Sequence, residues 1–285
     1  MSNTELAESI RTRNLNNKLF VGVIGAILVL FLVASALVLL GNVWYLARGT
    51  VEVKQSGWEI FVNSLKDPEN HFAIKLSVVT AALTTLLAML VAIPSAYVLS
   101  RYRLPGAQLI DTLLDLPIVV PPPVMGISLL ILFRTPLGQW LEANTGEWVY
   151  TQRGIVLAQF FIACSFGVRA VKASFDTIGI RHEQVARTLG CTHRQAFFKV
   201  VLPMSSSGIL AGAVMTWARA IAEFGPVLFF CGATRWKTEV MPIAMFLKFS
   251  SGDIEGSIAL VIIMILIAIV TLLTFKKLGG RGYLW

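Results

Sequence analysis

Charge is scarce in this chain. Only 14% of its 285 residues are Asp, Glu, Lys or Arg, against about 25% in ordinary soluble domains, while 56% are hydrophobic and the mean hydropathy is +0.73. That balance points away from a soluble globule and towards an integral membrane protein. Cysteine is nearly missing: Cys164, Cys191 and Cys231 share no C-x-x-C or histidine-proximal spacing, so neither a disulfide framework nor a metal site follows. No Gly-x-x-x-x-Gly-Lys-Ser/Thr loop is present, so the sequence offers no P-loop for nucleotide hydrolysis. There is no convincing internal repeat of the kind that builds many secondary transporters. No His, Cys, Ser and acid constellation converges, and His71, His182 and His193 read as surface groups, so no catalytic residue is assigned. The excess of 24 Lys and Arg over 16 Asp and Glu gives +8, which could suggest a polyanion. Membrane proteins collect such residues on the cytoplasmic side for topological reasons, and no nucleic acid partner is expected.

Long apolar runs dominate what is there. An apolar helix needs roughly 20 residues to cross hydrocarbon about 30 Å thick, and residues 19–40 supply such a run without a charge. The polar tail 1–18 before it is followed by no small-residue cleavage signal, so this first span is expected to be retained. Further spans are expected at residues 72–99, 109–133, 154–173, 205–231 and 257–275. An N-terminus inside the cell places fourteen Lys and Arg in cytoplasmic segments, including Arg11, Arg13, Lys18, Arg103, Lys276 and Arg281, and eight outside, including Lys54. The positive-inside rule thus puts both termini in the cytoplasm of a multi-pass cell-membrane protein. The divisions are a tail at 1–18, an external segment at 41–71, a core at 72–275 and a tail at 276–285.

Several spans carry helix breakers. Pro94 sits in the second, Pro117 with Pro121, Pro122 and Pro123 in the third, and Gly225 with Pro226 in the fifth. Proline removes a donor that hydrocarbon cannot replace, so broken backbone should face protein or a wet pathway, and the two readings stand about even. Gly208 and Gly212 form a Gly-x-x-x-Gly step that permits close helix contact and suggests a seam between two copies of the chain.

The longest cytoplasmic connection, residues 172–204, contains RHEQVARTLGCTHRQAFFKVVLP. Val185, Ala186 and Leu189 give a short helix an apolar face, and Gly190 offers its stop, since glycine alone enters the left-handed region cheaply. Ala196, Phe197, Val200 and Val201 form a second stripe ending at Leu202-Pro203. Gln184, Val185 and Ala186, then Gly190, then Val200, Leu202 and Pro203 resemble the EAA loop of ABC importer permeases, whose pattern is E-A-A, three residues, G, nine residues, I-x-L-P. Gln184 stands at the acidic position, with Glu183 just before it, and Val185 replaces the first alanine.

LPIVVPPPVMGISLLILF, SRYRLPG and ARAIAEFGPVLFFCGATRWKTEVMP resemble permeases of the molybdate, tungstate and sulfate group. The resemblance implies an all-α, six-span permease of type I importer architecture that couples to a separate ABC ATPase, whose ATP and Mg this chain does not bind. It also implies an external binding protein, a permease homodimer within membrane lipid, and a tetrahedral oxyanion as cargo. An importer of another small solute, or a stand-alone channel or secondary carrier, are the alternatives. Arg219 and Glu223, four residues apart, share a helix face and can neutralise one another, or Arg219 can line the route with Thr216 nearby. Ser128, Gln159 and Ser165 are further polar candidates in the spans.

Overall fold

Hydrocarbon offers no water to unpaired backbone groups, so an apolar run must close its hydrogen bonds within itself, as a helix does. The computed structural model describes residues 3–48, 56–102 and 104–278, without the side chains of 3–19, 275, 276 and 278. Among the described residues every regular element is helical. In chain order these are α1 (Asn3–Arg48), α2 (Gly57–Lys66), α3 (Pro68–Arg101), α4 (Ala107–Val119), α5 (Pro122–Arg134), α6 (Pro136–Thr145) and α7 (Gln152–Thr177). There follow α8 (Ile180–Thr188), α9 (His193–Ala196), a π turn (Phe197–Val201), α10 (Leu202–Met204), α11 (Ser206–Ile221), α12 (Gly225–Cys231), α13 (Met241–Ser250) and α14 (Ile254–Leu278). The side chains of Arg11, Arg13, Lys18 and Lys276, all of Lys54 and Arg103, and the tail from 279 onwards with Arg281 lie outside the described residues.

The chain divides into two compact units, residues 1–60 and 61–285. In the first, α1 carries the uncharged apolar run, its side chains exposed from Phe20 to Leu40 apart from two half-buried positions. In the second, α3, α7 and α11 pack on one another, α12 lies on α5, and α13 on α14. Local chemistry sets the starts of the long helices. Asp67 accepts from the N–H of Glu69 at 3.0 Å ahead of Pro68, and Thr151 accepts from Gly154 at 3.3 Å to begin α7. α1 from Phe20 onward, α3, α7 and α14 are each long and apolar enough to cross a membrane. Two bent pairs raise the possible total to six among the described residues: α4 with α5, bent by 107°, and residues 193–204 with α11, bent by 72°.

The breakers act selectively. α3 runs unbroken through Pro94 and α4 through Pro117, so neither interrupts its span as expected. The break in the third span falls at Val120-Pro121, and that in the fifth at Ala222 to Phe224, just ahead of Gly225-Pro226, which begin α12. The broken helices meet at their breaks. A Cβ on Gly225 would stand 2.9 Å from Pro123 N, and one on Gly126 would stand 2.7 Å from Pro226 Cα. The two breaks are thus in direct contact with one another.

Lipid is as apolar as leucine, so such helices associate through close packing rather than hydrophobic transfer, and small residues mark the seams. A Cβ on Gly208 would fall 2.0 Å from Ser174 Oγ, and one on Gly212 would fall 3.0 Å from Val171 Cγ2. The Gly-x-x-x-Gly step therefore seals α11 against α7 within one chain, which corrects the expectation of a seam between copies. α6 and α13 were not foreseen; they lie in segments too short or too mixed in polarity to read as spans.

Candidate functional site

The end of the second unit where α3 and α7 finish, called here the lower end, carries the 172–204 segment. Ile178 turns the chain out of α7, and α8 follows at once. Gly190 closes α8 at φ +92°, with its own N–H donating to Arg187 O at 3.0 Å and that of Cys191 to Ala186 O at 3.1 Å. Thr192 then opens α9 with a capping box: Gln195 N–H donates to Thr192 Oγ1 at 3.3 Å, and Thr192 N–H to Gln195 Oε1 at 2.9 Å. Beyond it the ladder widens to a π turn, in which Leu202 N–H reaches back to Phe197 O, next to Pro203, which has no N–H to donate. Ser205 Oγ donates to Val201 O at 2.6 Å and closes the segment onto α11. The two short helices and their glycine turn are as the spacing foretold; the π turn is not.

The apolar face expected of α8 is divided. Ala186 is buried, whereas Val185 and Leu189 are 58% and 81% exposed, and Gln184 is exposed beside them. Glu183, one turn before Ala186, turns inward with it. The reason is electrostatic: Glu183 meets the guanidinium of Arg101 at 3.2 Å and accepts from the Tyr97 hydroxyl, and both partners of the ion pair are under a tenth exposed. Arg101 also donates to Phe175 O and Ile178 O, each at 3.1 Å, and to Ser100 Oγ at 3.0 Å. Tyr97 stacks edge-on to Phe197 and Phe175, with centroids 4.6 and 6.1 Å away. Ser100 in turn donates to Asp176 at 2.5 Å, which Lys172 joins at 2.8 Å. Sequence reasoning missed Tyr97 and Arg101 as partners of the loop. Arg169 binds Asp111 at 3.1 Å and Asp115 at 2.7 Å, fixing α4 to α7 nearby.

Higher in the second unit, Arg219 Nη1 lies 2.5 Å from Glu223 Oε2, the carboxylate 2% exposed and the guanidinium 28%, with Phe166 under the cation at 5.6 Å. Thr216 does not join them. It is fully buried, donates to Gly212 O at 2.7 Å, and packs its hydroxyl against Gly167 of α7. Gln159 and Ser165 are likewise buried, Gln159 accepting from Thr84 at 3.0 Å, whereas Ser128 is exposed. Among the described residues, no three His, Cys, Asp or Glu converge on one point.

At the opposite, upper end the 232–240 loop is tied down on several sides. Arg235 pairs with Glu69 at 3.2 Å, Trp236 packs on Phe72, Gln152 donates to Lys237 O at 3.0 Å, and Thr238 Oγ1 donates to Gly232 O at 3.1 Å. Glu239 is 1% exposed and accepts from Trp236 N–H at 3.1 Å. Burial first, and then the neighbouring Glu69 carboxylate, raise its pKa from 4.5 to about 7.

A family model described as "Binding-protein-dependent transport system inner membrane component" matches residues 84–281. The chain is 31% identical to the sulfate transport system permease protein CysT of Escherichia coli, over 81% of this chain and 84% of that one. It is 33% identical to the molybdate/tungstate transport system permease protein WtpB of Thermococcus kodakarensis, over 78% and 84% respectively. A bacterial alginate ABC transporter, solved in complex with an alginate pentasaccharide-bound periplasmic protein, superposes with a TM-score of 0.64 at 17% identity, over 87% of this chain and 94% of that one, a likeness of fold. By the extent of the family match and by these relatives, the chain belongs to the inner membrane components of binding-protein-dependent transport systems, the permeases of ABC importers.

Proposed function

We propose that this chain is the six-span, non-catalytic membrane subunit of an ATP-driven importer, with both termini in the cytoplasm, two copies enclosing one path, and a tetrahedral oxyanion as cargo. Molybdate or tungstate is the favoured cargo, with sulfate next. A separate ATPase grips the 172–204 loop, holding the ATP and Mg that this chain does not bind, and an external binding protein delivers the anion to the 232–252 face. The observation that carries the reading is the construction of α8. Gln184, Val185 and Leu189 stand outward on a helix whose inner residues Glu183 and Ala186 are buried, so a partner can seize it without unfolding it. Gly190, Leu202 and Pro203 hold the turn and exit that the EAA pattern asks for. The names of the relatives support the cargo, and the periplasmic protein bound to the alginate transporter supports the partner. Arg219 is the candidate cation for an anion path, since a quarter of its side chain stays open while Glu223 neutralises it. Moving one charge through 100 mV costs about 2.3 kcal/mol, so drawing a dianion into an inside-negative cell costs about twice that and calls for a motor.

The test is uptake by liposomes containing the chain with its cognate ATPase and binding protein. ATP-dependent accumulation of molybdate, tungstate or sulfate is expected. Anion flux through the chain alone, without the ATPase, contradicts the proposal and favours a channel or carrier.

A further inference from the structure

The covalent chain links the 178–204 loop to α7 before it and to α11 after it, but not to α3. Yet the loop's best-satisfied polar contacts are to α3. Glu183 gives one carboxylate oxygen to Tyr97 and the other to Arg101. The same guanidinium closes the last carbonyls of α7 at Phe175 and Ile178. An apolar contact runs in parallel, Tyr97 against Phe197 at the head of the π turn. Pro94 lies one helical turn before Tyr97 and removes the hydrogen bond that would otherwise stiffen α3 at that level. The end of α3 is thus bolted to the loop and relieved of one rung behind the bolt.

We propose that Tyr97 and Arg101 are positioning residues that join α3 to Glu183, so that movement of the loop is carried into α3, a helix to which the loop is not covalently joined. The inference rests on the reading that an ATPase grips the loop. In the EAA-like stretch, Glu183 then serves as an internal joint, and the outward face of α8 is left to Gln184, Val185 and Leu189.

The test uses the complete complex in liposomes with its cognate ATPase and binding protein, reading anion imported per ATP hydrolysed. Tyr97→Phe keeps the ring stack and removes one bond, and Glu183→Gln keeps the shape and removes the charge. Each is expected to leave the ATPase bound and hydrolysing while import per ATP falls by about fivefold or more. Combined, they are expected to lose no more than the stronger of the two, because both break one connection. Import per ATP at the parental level in Tyr97→Phe overturns the joint, as does full additivity in the double variant. Loss of ATPase binding in Glu183→Gln also overturns it, by assigning Glu183 to the docking face. If the parental complex itself shows no ATP-linked import, the proposed function fails and the joint with it. That outcome is distinguished because it precedes any substitution.

Discussion

Two buried ion pairs, Arg101 with Glu183 and Arg219 with Glu223, use the same chemistry to different ends. The first joins residues 82 apart in sequence and surrounds the guanidinium with two backbone carbonyls and a hydroxyl. The second spans four residues, buries its carboxylate and leaves its guanidinium 28% exposed. A buried pair repays its desolvation only when the remaining donors and acceptors are also satisfied, and the lower pair meets that condition. The lower pair is therefore a bolt between segments, whereas the upper pair is a local neutralisation that leaves one cation partly open.

The comparison breaks most readily at Glu183→Ala, which leaves Arg101 buried with two carbonyls and a hydroxyl but no counter-charge. A loss of about 3–5 kcal/mol is expected, read as a lowered unfolding midpoint and faster proteolysis of the 178–204 loop. Glu223→Gln should cost less, about 1–3 kcal/mol, because Arg219 can turn towards open space. It should alter anion transport more than it alters unfolding, and the reverse ranking of the two variants in stability would erase the distinction. Gly190→Ala should cost about 1 kcal/mol, since φ +92° disfavours a Cβ although no atom stands within 4 Å of one. Its effect should be confined to hydrogen exchange in α8 and α9.

A further effect concerns a third buried acid, Glu239 at the upper end. Because its pKa is raised from 4.5 to about 7, the folded loop holds a proton that the unfolded one releases. Stability from this group is full below 4.5 and is lost as pH rises through about 7. Hydrogen exchange of residues 232–240 should quicken across that window, and Glu239→Gln should remove the dependence.

Much of this architecture was legible. Long apolar runs located the long helices, because a bilayer enforces one length and one backbone solution. Gly190 and Leu202-Pro203 marked the loop's turn and exit, because positive φ and the missing N–H each permit few residues. Pairing across distant segments was not legible. Nothing in the composition of SRYRLPG says that its first arginine meets a glutamate 82 residues on, nor that Thr216 faces α7 rather than Arg219. Helical periodicity had grouped Val185, Ala186 and Leu189, but it could not tell that an ion pair would rotate Glu183 and Ala186 inward and leave the other two in the open. Prolines were over-read for a related reason. A helix with packed neighbours runs through Pro94 and Pro117, and it breaks where a second broken helix offers a glycine to fill the gap.

Cross-linking from position 189, 81% exposed at the end of α8, tests the central claim most directly. With Leu189→Cys carrying a short photoreactive group in the assembled transporter, the account predicts covalent capture of the ATPase and labelling of that thiol only from the cytoplasmic side. Labelling from the external side, or an assembled complex in which position 189 captures no ATPase, would contradict it.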